Sequence, residues 1–340
     1  ALWHMLTHRT CCQQEWREKY DKLLISQFHS LILDCKDSIN SREHKIIDDL
    51  FCIVFDLQYL CITKNKDMIS KNKIKYIRSL ELKKNRNKEG KFVAEGHKVV
   101  DDLLVFQPAD LIVATSEWLH GKSIDPSTEV IEVTDEELKK VSFLQHPQQV
   151  LAVFKQGCKH ADSSAAHPDD LSSSDTWIDG KPFGYSPINI HQLHLALDGV
   201  QDPGNLGTII RIADWFGIEH IYCSQDTADV YNPKVVQATM GSIARVKVEY
   251  GDLLGLITSL PSEEPVYGTL LDGDNIYEQS LENHGFIVMG NEGKGISPAL
   301  AKKVNHRLLI PNFPEGRPTA DSLNVAIATA ITCSEFRRRK

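Results

Sequence analysis

The sequence lacks an apolar run long enough to cross a membrane. Its most apolar early stretch, residues 51–63, contains Asp56 and falls well short of the roughly 18 apolar residues that a transmembrane helix needs. The first residues also lack the succession of basic, apolar and small-residue segments that marks a secretory signal, and their acidic residues are atypical of a transit peptide. We therefore expect a cytoplasmic protein that does not associate with membranes.

Paired cysteine motifs are also missing. The eight cysteines contain no C-x-x-C, and five of them fall within the first 61 residues. This spacing gives little support to a zinc site or to a disulfide framework. The pattern favours a protein of a reducing compartment.

Positive charge is not in excess, because 38 Lys and Arg face 46 Asp and Glu and the net charge is −8. Any nucleic-acid partner must therefore meet a local basic patch. One such patch is residues 68–91, with nine Lys or Arg against two acids. Tyr76 or Phe92 could stack on a base there, although a solvated helix face is the alternative. The residues predicted to contact RNA phosphates are Lys71, Lys73, Lys75, Arg78, Lys83, Lys84 and Arg86.

The composition and the pattern of apolar residues divide the chain into four parts. The 340 residues, of which 41% are hydrophobic and 25% charged, are ordinary for a globular protein but too many for one core. Residues 1–67 form an N-terminal extension of unknown role, 68–156 a small α/β domain, and 157–189 a linker by composition. Residues 190–340 alternate short apolar strands with helices, which predicts a parallel sheet covered on both faces.

The first chemically distinctive segment is residues 197–217. A strand ends at Leu197. A tight turn is then predicted at Pro203, Gly204 and Gly207. Asn205 lies beside the start of the following helix and Arg211 one turn beyond its last glycine, so both side chains can face the strand ends. Taken alone, Arg211 is better explained as a solvated surface residue, because most charged residues of helices are solvated.

The second segment, residues 288–298, predicts a strand, a glycine-rich loop and a helix capped by Ser297. Its order is G-x-x-G-x-G and not the G-x-G-x-x-G of a dinucleotide-binding fold. Asn291 and Glu292 occupy the turn, where a carboxylate would disfavour a pyrophosphate. A plain glycine turn is the alternative interpretation.

The third segment, residues 308–331, is a strand that stops at Pro311, a loop rich in proline and glycine, and a small-residue helix that begins at residues 322–324. Small residues on a helix allow close packing against another helix. Packing alone could therefore explain this composition.

In this order the three segments resemble the motifs of the SpoU–TrmH branch of the SPOUT superfamily, which are S-adenosylmethionine-dependent RNA ribose 2′-O-methyltransferases. The matching stretches are 202–211, 289–295, 310–311 and 322–326. Residues 68–155 more weakly resemble the small α/β substrate-binding domain of members that act on ribosomal RNA. One departure is the loop 312–321, which is longer than usual and leaves the shape of the cofactor lid open.

The resemblance implies an α/β fold: a C-terminal SPOUT domain with a parallel sheet and a deep trefoil knot, preceded by a small α/β RNA substrate-binding domain. It implies a homodimer that pairs through the knotted region, where the helix 325–336 has a small-residue face. The implied catalytic residues are Asn205, Arg211, Glu292, Ser322 and Asn324. The implied S-adenosylmethionine-binding residues are Thr269, Gly290, Asn291, Gly293, Ile310 and Leu323.

The implied chemistry is an in-line transfer of a methyl group to a ribose 2′-hydroxyl, and it needs no metal. The cofactor supplies the electrophile, so the protein must position and deprotonate a weakly acidic alcohol. A guanidinium is a poor free base. We therefore expect Arg211 to stabilise the developing alkoxide and an adjacent phosphate, while the proton acceptor stays open. Glu292 could orient Arg211 or hold the loop.

Several functions fit these patterns. The leading prediction is 2′-O-methylation of 23S-type ribosomal RNA, because of the extra small domain, with tRNA as the near alternative. A catalytically silent RNA-binding assembly factor is disfavoured by the retained polar residues of the three segments. A nicotinamide-dependent dehydrogenase is disfavoured by the absence of G-x-G-x-x-G after Leu197.

Overall fold

The computed structural model describes residues 69–157, 188–314, 317, 320 and 322–338. The predicted extension 1–67 and most of the predicted linker 157–189 lie outside these residues. Within the described ranges, no helix is both long enough and apolar enough to span a membrane.

The first sheet has four strands. Its order is β1-β4-β2-β3, with β4 antiparallel to both neighbours and β2 parallel to β3. Residues 134–137 have the sequence pattern of a capping box. The box is present, because Thr134 Oγ1 accepts from the Glu137 amide and Glu137 Oε2 accepts from the Thr134 amide. The elements are α1 (Lys71–Ser79), α2 (Lys83–Glu89), β1 (Lys91–Glu95), α3 (His97–Phe106), β2 (Leu111–Ala114), α4 (Ser116–Leu119), β3 (Glu129–Glu132), α5 (Asp135–Val141) and β4 (Val150–Lys155).

The second sheet has six strands in the order β10-β8-β9-β5-β6-β7. Every pairing in it is parallel, as predicted. Its elements are β5 (Leu193–Asp198), α6 (Pro203–Trp215), β6 (His220–Ser224), α7 (Pro233–Thr239), β7 (Lys247–Gly251), α8 (Leu253–Ser259), β8 (Val266–Asn275), β9 (Gly285–Gly290), α9 (Pro298–Ala301), β10 (His306–Leu309) and α10 (Val325–Arg338). Short 3₁₀ turns occupy Ser242–Ala244 and Ile276–Glu278.

The central strands β5 and β9 carry the two glycine-rich segments at adjacent ends. Asp198, the last residue of β5, is paired in register with Gly290, the last residue of β9. Ligands of open parallel sheets bind outside the carboxyl ends of such strands. The loops after β5 and β9 therefore lie side by side at the edge where a ligand is expected.

The turn predicted at Gly204 and Gly207 is wrong, because both glycines lie inside α6. The helix begins at Pro203 with Asp202 as its N-cap, whose carboxylate accepts from the Asn205 amide at 2.8 Å. Gly207 serves packing, since a Cβ added there would lie 2.5 Å from the Cβ of Ala238 on α7. The glycine therefore sets the close approach of α6 and α7.

Two other element boundaries differ from prediction. The last helix begins at Val325 and not at residues 322–324, because the Asn324 side chain caps it and accepts from the Ala326 amide at 3.0 Å. The sequence of residues 245–248 predicts a strand that begins at Arg245, whereas the strand begins at Lys247. Gly241, at φ +97°, precedes a 3₁₀ turn over Ser242–Ala244 that Arg245 caps, so the chain becomes extended only after Arg245.

The two sheets share one hydrophobic core within the compact unit 67–340. Phe92 on β1 packs its ring 4.8 Å from that of Tyr231, and the Tyr231 hydroxyl accepts from the Gly157 amide at 2.9 Å. Arg86 on α2 is 2% exposed and donates to Asp229 Oδ2 at 2.6 Å. The segment between β6 and α7 therefore fixes the small domain to the larger one.

His194 on β5 is a buried titratable group in the core of the larger domain. It is 1% exposed, and its Nε2 lies 2.8 Å from the Asn189 carbonyl oxygen. Burial, opposed in part by that hydrogen bond and assisted by the nearby His220, lowers its pKa from 6.5 to about 4. The folded protein therefore keeps this ring neutral at pH values where an unfolded chain would protonate it.

We predict that this histidine makes the protein sensitive to acid. Between pH 6.5 and 4 the unfolded state binds a proton that the folded state does not, so the free energy of unfolding falls as the pH falls. The loss is about 2 kcal/mol at pH 5, and there is none above pH 7. Urea unfolding of the His194→Leu variant should lack this component. The matched change at the exposed His191 should keep it, and equal pH profiles for the two variants would contradict the prediction.

Candidate active site

The Glu292 side chain links the loop after β9 to the start of α6. Its Oε1 accepts from Asn205 Nδ2 at 3.0 Å and from the Asp202 amide at 3.3 Å, and its Oε2 accepts from the Gln201 amide at 3.4 Å. A carboxylate is an acceptor only, and these three donors come from one short segment. Glu292 therefore holds the 201–205 segment in place.

Asn205 joins this pair to the third segment of the sequence. Its Oδ1 accepts from Asn324 Nδ2 at 2.9 Å, while its own Nδ2 donates to Glu292. The side-chain oxygen of Asn324 also forms hydrogen bonds, because it accepts from backbone amides in the first turn of α10. Three predicted catalytic residues from three separate motifs thus form one hydrogen-bonded chain.

The loop 290–296 is built from closely packed backbone. Asn291 and Gly295 exchange two backbone hydrogen bonds at 3.0 and 2.9 Å. A Cβ at Gly290 would lie 2.2 Å from the carbonyl carbon of Gly295, so no larger residue fits there. The Asn291 side chain donates to the Gly199 carbonyl at 2.7 Å and accepts from the amides of Gly293 and Lys294. Asn291 and Gly293, predicted to bind the cofactor, thus shape the loop.

Sequence reasoning missed two carboxylates at the same edge. Asp198 Oδ2 accepts from the Ser297 amide at 2.6 Å, and Asp226 lies against Gly199, whose amide donates to Ser224. Asp198 is the last residue of the buried strand β5, and a carboxylate at the end of an apolar run was the available signal. With Asp202 and Glu292, this edge of the sheet is strongly negative.

The remaining predicted residues lie on the surrounding elements. Arg211 is exposed on α6, two turns from the start of the helix, and Ser322 is exposed just before α10. Thr269 on β8 is half-buried and donates to the Met289 sulfur at 3.6 Å. Ile310 packs against the core beyond β10, while Leu323 is 52% exposed.

The predicted RNA contacts lie on α1 and α2, and most of them are exposed. Lys73 forms an ion pair with Glu129 at 2.6 Å, and Arg78 donates to the Ser142 carbonyl oxygen at 2.5 Å. The other exposed lysines are Lys71, Lys75, Lys83 and Lys84.

Two of the RNA-contact predictions are withdrawn. Arg86 is buried, and its guanidinium is engaged by Asp229 and by the carbonyls of Leu80 and Glu81. Phe92 is fully buried between the two domains and cannot stack on a base. A run of charges in sequence could not show that one cation of the run turns inward.

The chain is similar over most of its length to solved RNA methyltransferases. A structure from Porphyromonas gingivalis, assigned to the TrmH family of RNA methyltransferases, is 39% identical with a TM-score of 0.65, and the match covers 80% of this chain and all of that one. This chain belongs to the SpoU/TrmH family. The SpoU rRNA Methylase family model matches residues 192–334, and the MRM3-like substrate binding domain model matches residues 71–152.

Two further relatives of this SpoU/TrmH protein extend the comparison. The 23S rRNA guanosine-2′-O-methyltransferase RlmP of Bacillus subtilis is 28% identical over 81% of this chain and 99% of its own length. An rRNA methyltransferase from Sinorhizobium meliloti, solved with S-adenosylmethionine bound, is 30% identical with a TM-score of 0.63, over 80% of this chain and 96% of that one.

The edge at β5 and β9 suits the cofactor of the SpoU/TrmH family. Four carboxylates stand there, at Asp198, Asp202, Asp226 and Glu292. Such a field favours a cationic sulfonium and disfavours a pyrophosphate. The tight backbone of the loop 290–296 leaves peptide groups rather than charged side chains to bind a nucleoside. The residues present therefore fit S-adenosylmethionine and not a dinucleotide.

Proposed function

We propose that this protein transfers a methyl group from S-adenosylmethionine to a ribose 2′-hydroxyl of RNA, most simply of 23S-type ribosomal RNA. The observation that carries the proposal is the chain of hydrogen bonds from Glu292 through Asn205 to Asn324 at the carboxyl edge of the sheet. Each of these residues comes from one of the three segments that mark the family. The small domain matched by a substrate-binding model supports RNA as the substrate.

The contacts of the site residues suggest a separate role for each of them. Bound between the loops after β8, β9 and β10, S-adenosylmethionine would supply an activated methyl group. Arg211 would stabilise the developing alkoxide and a neighbouring phosphate. Glu292 would keep the start of α6 in position rather than orient Arg211, because its oxygens accept from the 201–205 segment. Ser322 is next in sequence to Leu323, which is predicted to bind the cofactor, and would line the same edge.

The choice between RNA substrates rests on the relatives. RlmP acts on 23S rRNA by its name, and its similarity extends over both domains. We therefore place ribosomal RNA ahead of tRNA. Mapping 2′-O-methyl sites in cells with and without this protein should reveal one missing site in large-subunit rRNA. A missing site in tRNA would instead favour the alternative substrate.

We predict that S-adenosylhomocysteine binds and stabilises the folded protein. A ligand at 100 times its Kd adds about 2.7 kcal/mol to the free energy of unfolding, which corresponds to a rise of roughly 5 to 10 °C in melting temperature. NAD should cause no shift, because the carboxylates at this edge oppose a pyrophosphate. Stabilisation by NAD without any effect of S-adenosylhomocysteine in the same melting assay would overturn the cofactor assignment.

We also propose a homodimer paired through α6 and α10. These helices pack against each other, and large apolar side chains stand exposed on them: Trp215 is 85% exposed and Ile327 53% exposed. Leu323, just before α10, is 52% exposed. Exposed apolar side chains on two packed helices suit an interface, and a second copy of the chain is the partner that the family implies. The knot and the cytoplasmic location stay predictions.

The dimer predicts twice the chain mass of 38.3 kDa in light scattering at micromolar concentration. Ile327→Asp should give monomers that have lost methyl transfer, because each site is expected to borrow groups from the partner. The same change at Val105, which is 80% exposed on α3, should leave the dimer intact. A wild-type monomer with full activity would refute the shared site.

A further inference from the structure

A groove runs between the small domain and α7, outside the site described above. It has a volume of about 290 Å³ and is lined by Glu95, Phe143 and Leu144 from the small domain and by Lys234, Gln237 and Ala238 from α7. This volume lies at the lower end of the roughly 300 to 1,000 Å³ of small-molecule sites. It suits one planar ring system and is too small for a helix or a folded peptide.

The groove adjoins α6 through Ala238 of α7. Ala238 lines the groove and packs directly against Gly207 of α6. Arg211 follows Gly207 by four residues, which is one turn along the helix and an offset of about 40° around it. The arginine proposed to act on the ribose therefore lies one helical turn from the point where a wall residue of the groove meets α6.

The groove combines an aromatic ring with positive charge at its rim. Phe143 is half-buried, and the Arg78 guanidinium lies 5.6 Å from its ring centroid. Arg78 and Lys234 are both exposed. Single-stranded RNA is read by splayed bases that stack on aromatic rings while cations meet the phosphates. An aromatic interior between two surface cations matches the polarity of a nucleotide.

Glu95 adds a buried acceptor at the floor of this groove. It is 5% exposed, and its carboxylate accepts from the Ser142 hydroxyl and from the Phe143 amide at 2.7 Å. Burial raises the pKa of Glu95, and the two hydrogen bonds and Arg78 oppose the rise. Each carboxylate oxygen keeps a second lone pair. The Glu95 carboxylate could therefore accept a further hydrogen bond from an N–H group of a bound base.

We propose that this groove binds one unstacked nucleobase of the RNA substrate, a base with N–H donors on its pairing edge, with the flanking phosphates on Arg78 and Lys234. The inference rests on the proposed function and adds a recognition subsite to it. The bound base would be a neighbour of the methylated nucleotide, so the groove would select sequence while the α6 edge performs the transfer.

The test fills the groove without touching the catalytic edge. Gln237→Trp should weaken the binding of a large-subunit rRNA transcript at least tenfold and raise KM to match. Its kcat and its affinity for S-adenosylhomocysteine should be unchanged. Val105→Trp, at an exposed position on α3, is the matched control and should behave like wild type. Wild-type Kd and KM in a folded Gln237→Trp protein would overturn the proposal.

Two further measurements keep the test decisive if Gln237→Trp fails to fold. Lys234→Glu should weaken transcript binding several-fold, whereas Lys303→Glu, also exposed, should not. A transcript carrying 4-thiouridine should crosslink to peptides that contain Phe143 or Gln237, and crosslinks confined to other peptides would overturn the proposal. If the groove variants weaken binding but wild type methylates no RNA, the subsite stands and the proposed function fails. Full binding by the variants of an active enzyme would remove the subsite alone.

Discussion

Arg211→Ala should lose methyl transfer almost completely while it keeps its affinity for S-adenosylmethionine. Arg211 is exposed on α6, the helix that also carries Asn205, and its proposed partners are the ribose oxygen and a phosphate. Removal of one donor that stabilises charge in a transition state typically costs about 3 to 4 kcal/mol, or 10² to 10³ in rate. Single-turnover transfer to rRNA, with cofactor binding by calorimetry alongside, measures both quantities.

Two companion variants sharpen this experiment. Arg211→Lys keeps the positive charge but loses the planar, forked set of donors, so it should recover only part of the rate. Arg245→Ala removes a second exposed arginine, which pairs with Asp102 and Asp214 on the surface, and should transfer at the wild-type rate. Near-normal transfer by Arg211→Ala would show that the catalytic role lies elsewhere.

Arg86→Ala should destabilise the protein strongly. The Arg86 guanidinium is 2% exposed and pairs with the Asp229 carboxylate at 2.6 Å across the two domains. Removal of one partner leaves the other charge buried without compensation, which typically costs 3 to 5 kcal/mol. Urea unfolding at neutral pH should therefore show a loss of about 3 kcal/mol or more.

A control and a rescue accompany this measurement. Lys84→Ala, exposed on the same helix, should change stability by less than about 0.5 kcal/mol. Replacement of both partners, as in Arg86→Met with Asp229→Leu, should restore most of the loss, because a well-packed apolar pair avoids the desolvation of two charges. A stable Arg86→Ala protein would mean that the ion pair does not hold the domains together.

Periodicity was sufficient to predict the parallel sheet but not the details of its helices. Short apolar strands such as Ile221–Cys223 are buried on both faces, and that burial is visible as a continuous apolar run. The role of Gly207 could not be predicted, because the sequence does not distinguish a glycine that allows two helices to approach from a glycine that forms a turn. Ala238, the residue that requires it, lies 31 positions away in sequence.

The candidate site was predicted as a set of residues, but its connections were not. The residues around Glu292 and Asn324 identify each of them as part of a motif. Their hydrogen bonds to Asn205, however, join residues that are 87 and 119 positions apart in sequence. The register of β5 against β9 brings Glu292 to Asn205, and the packing of α10 on α6 brings Asn324 to it. Arg86 was predicted wrongly for the same reason. A run of basic residues predicts an exposed surface, and the partner of Arg86, Asp229, is 143 positions away in sequence.

Transfer of a labelled methyl group to RNA, followed by digestion to nucleosides, tests the proposed activity. Purified protein, S-adenosylmethionine labelled in its methyl group and large-subunit rRNA that lacks the modification should yield label in a single 2′-O-methylnucleoside, and Arg211→Ala should yield almost none. Label in a base-methylated nucleoside, or no label in any RNA despite bound cofactor, would contradict ribose methylation by this protein.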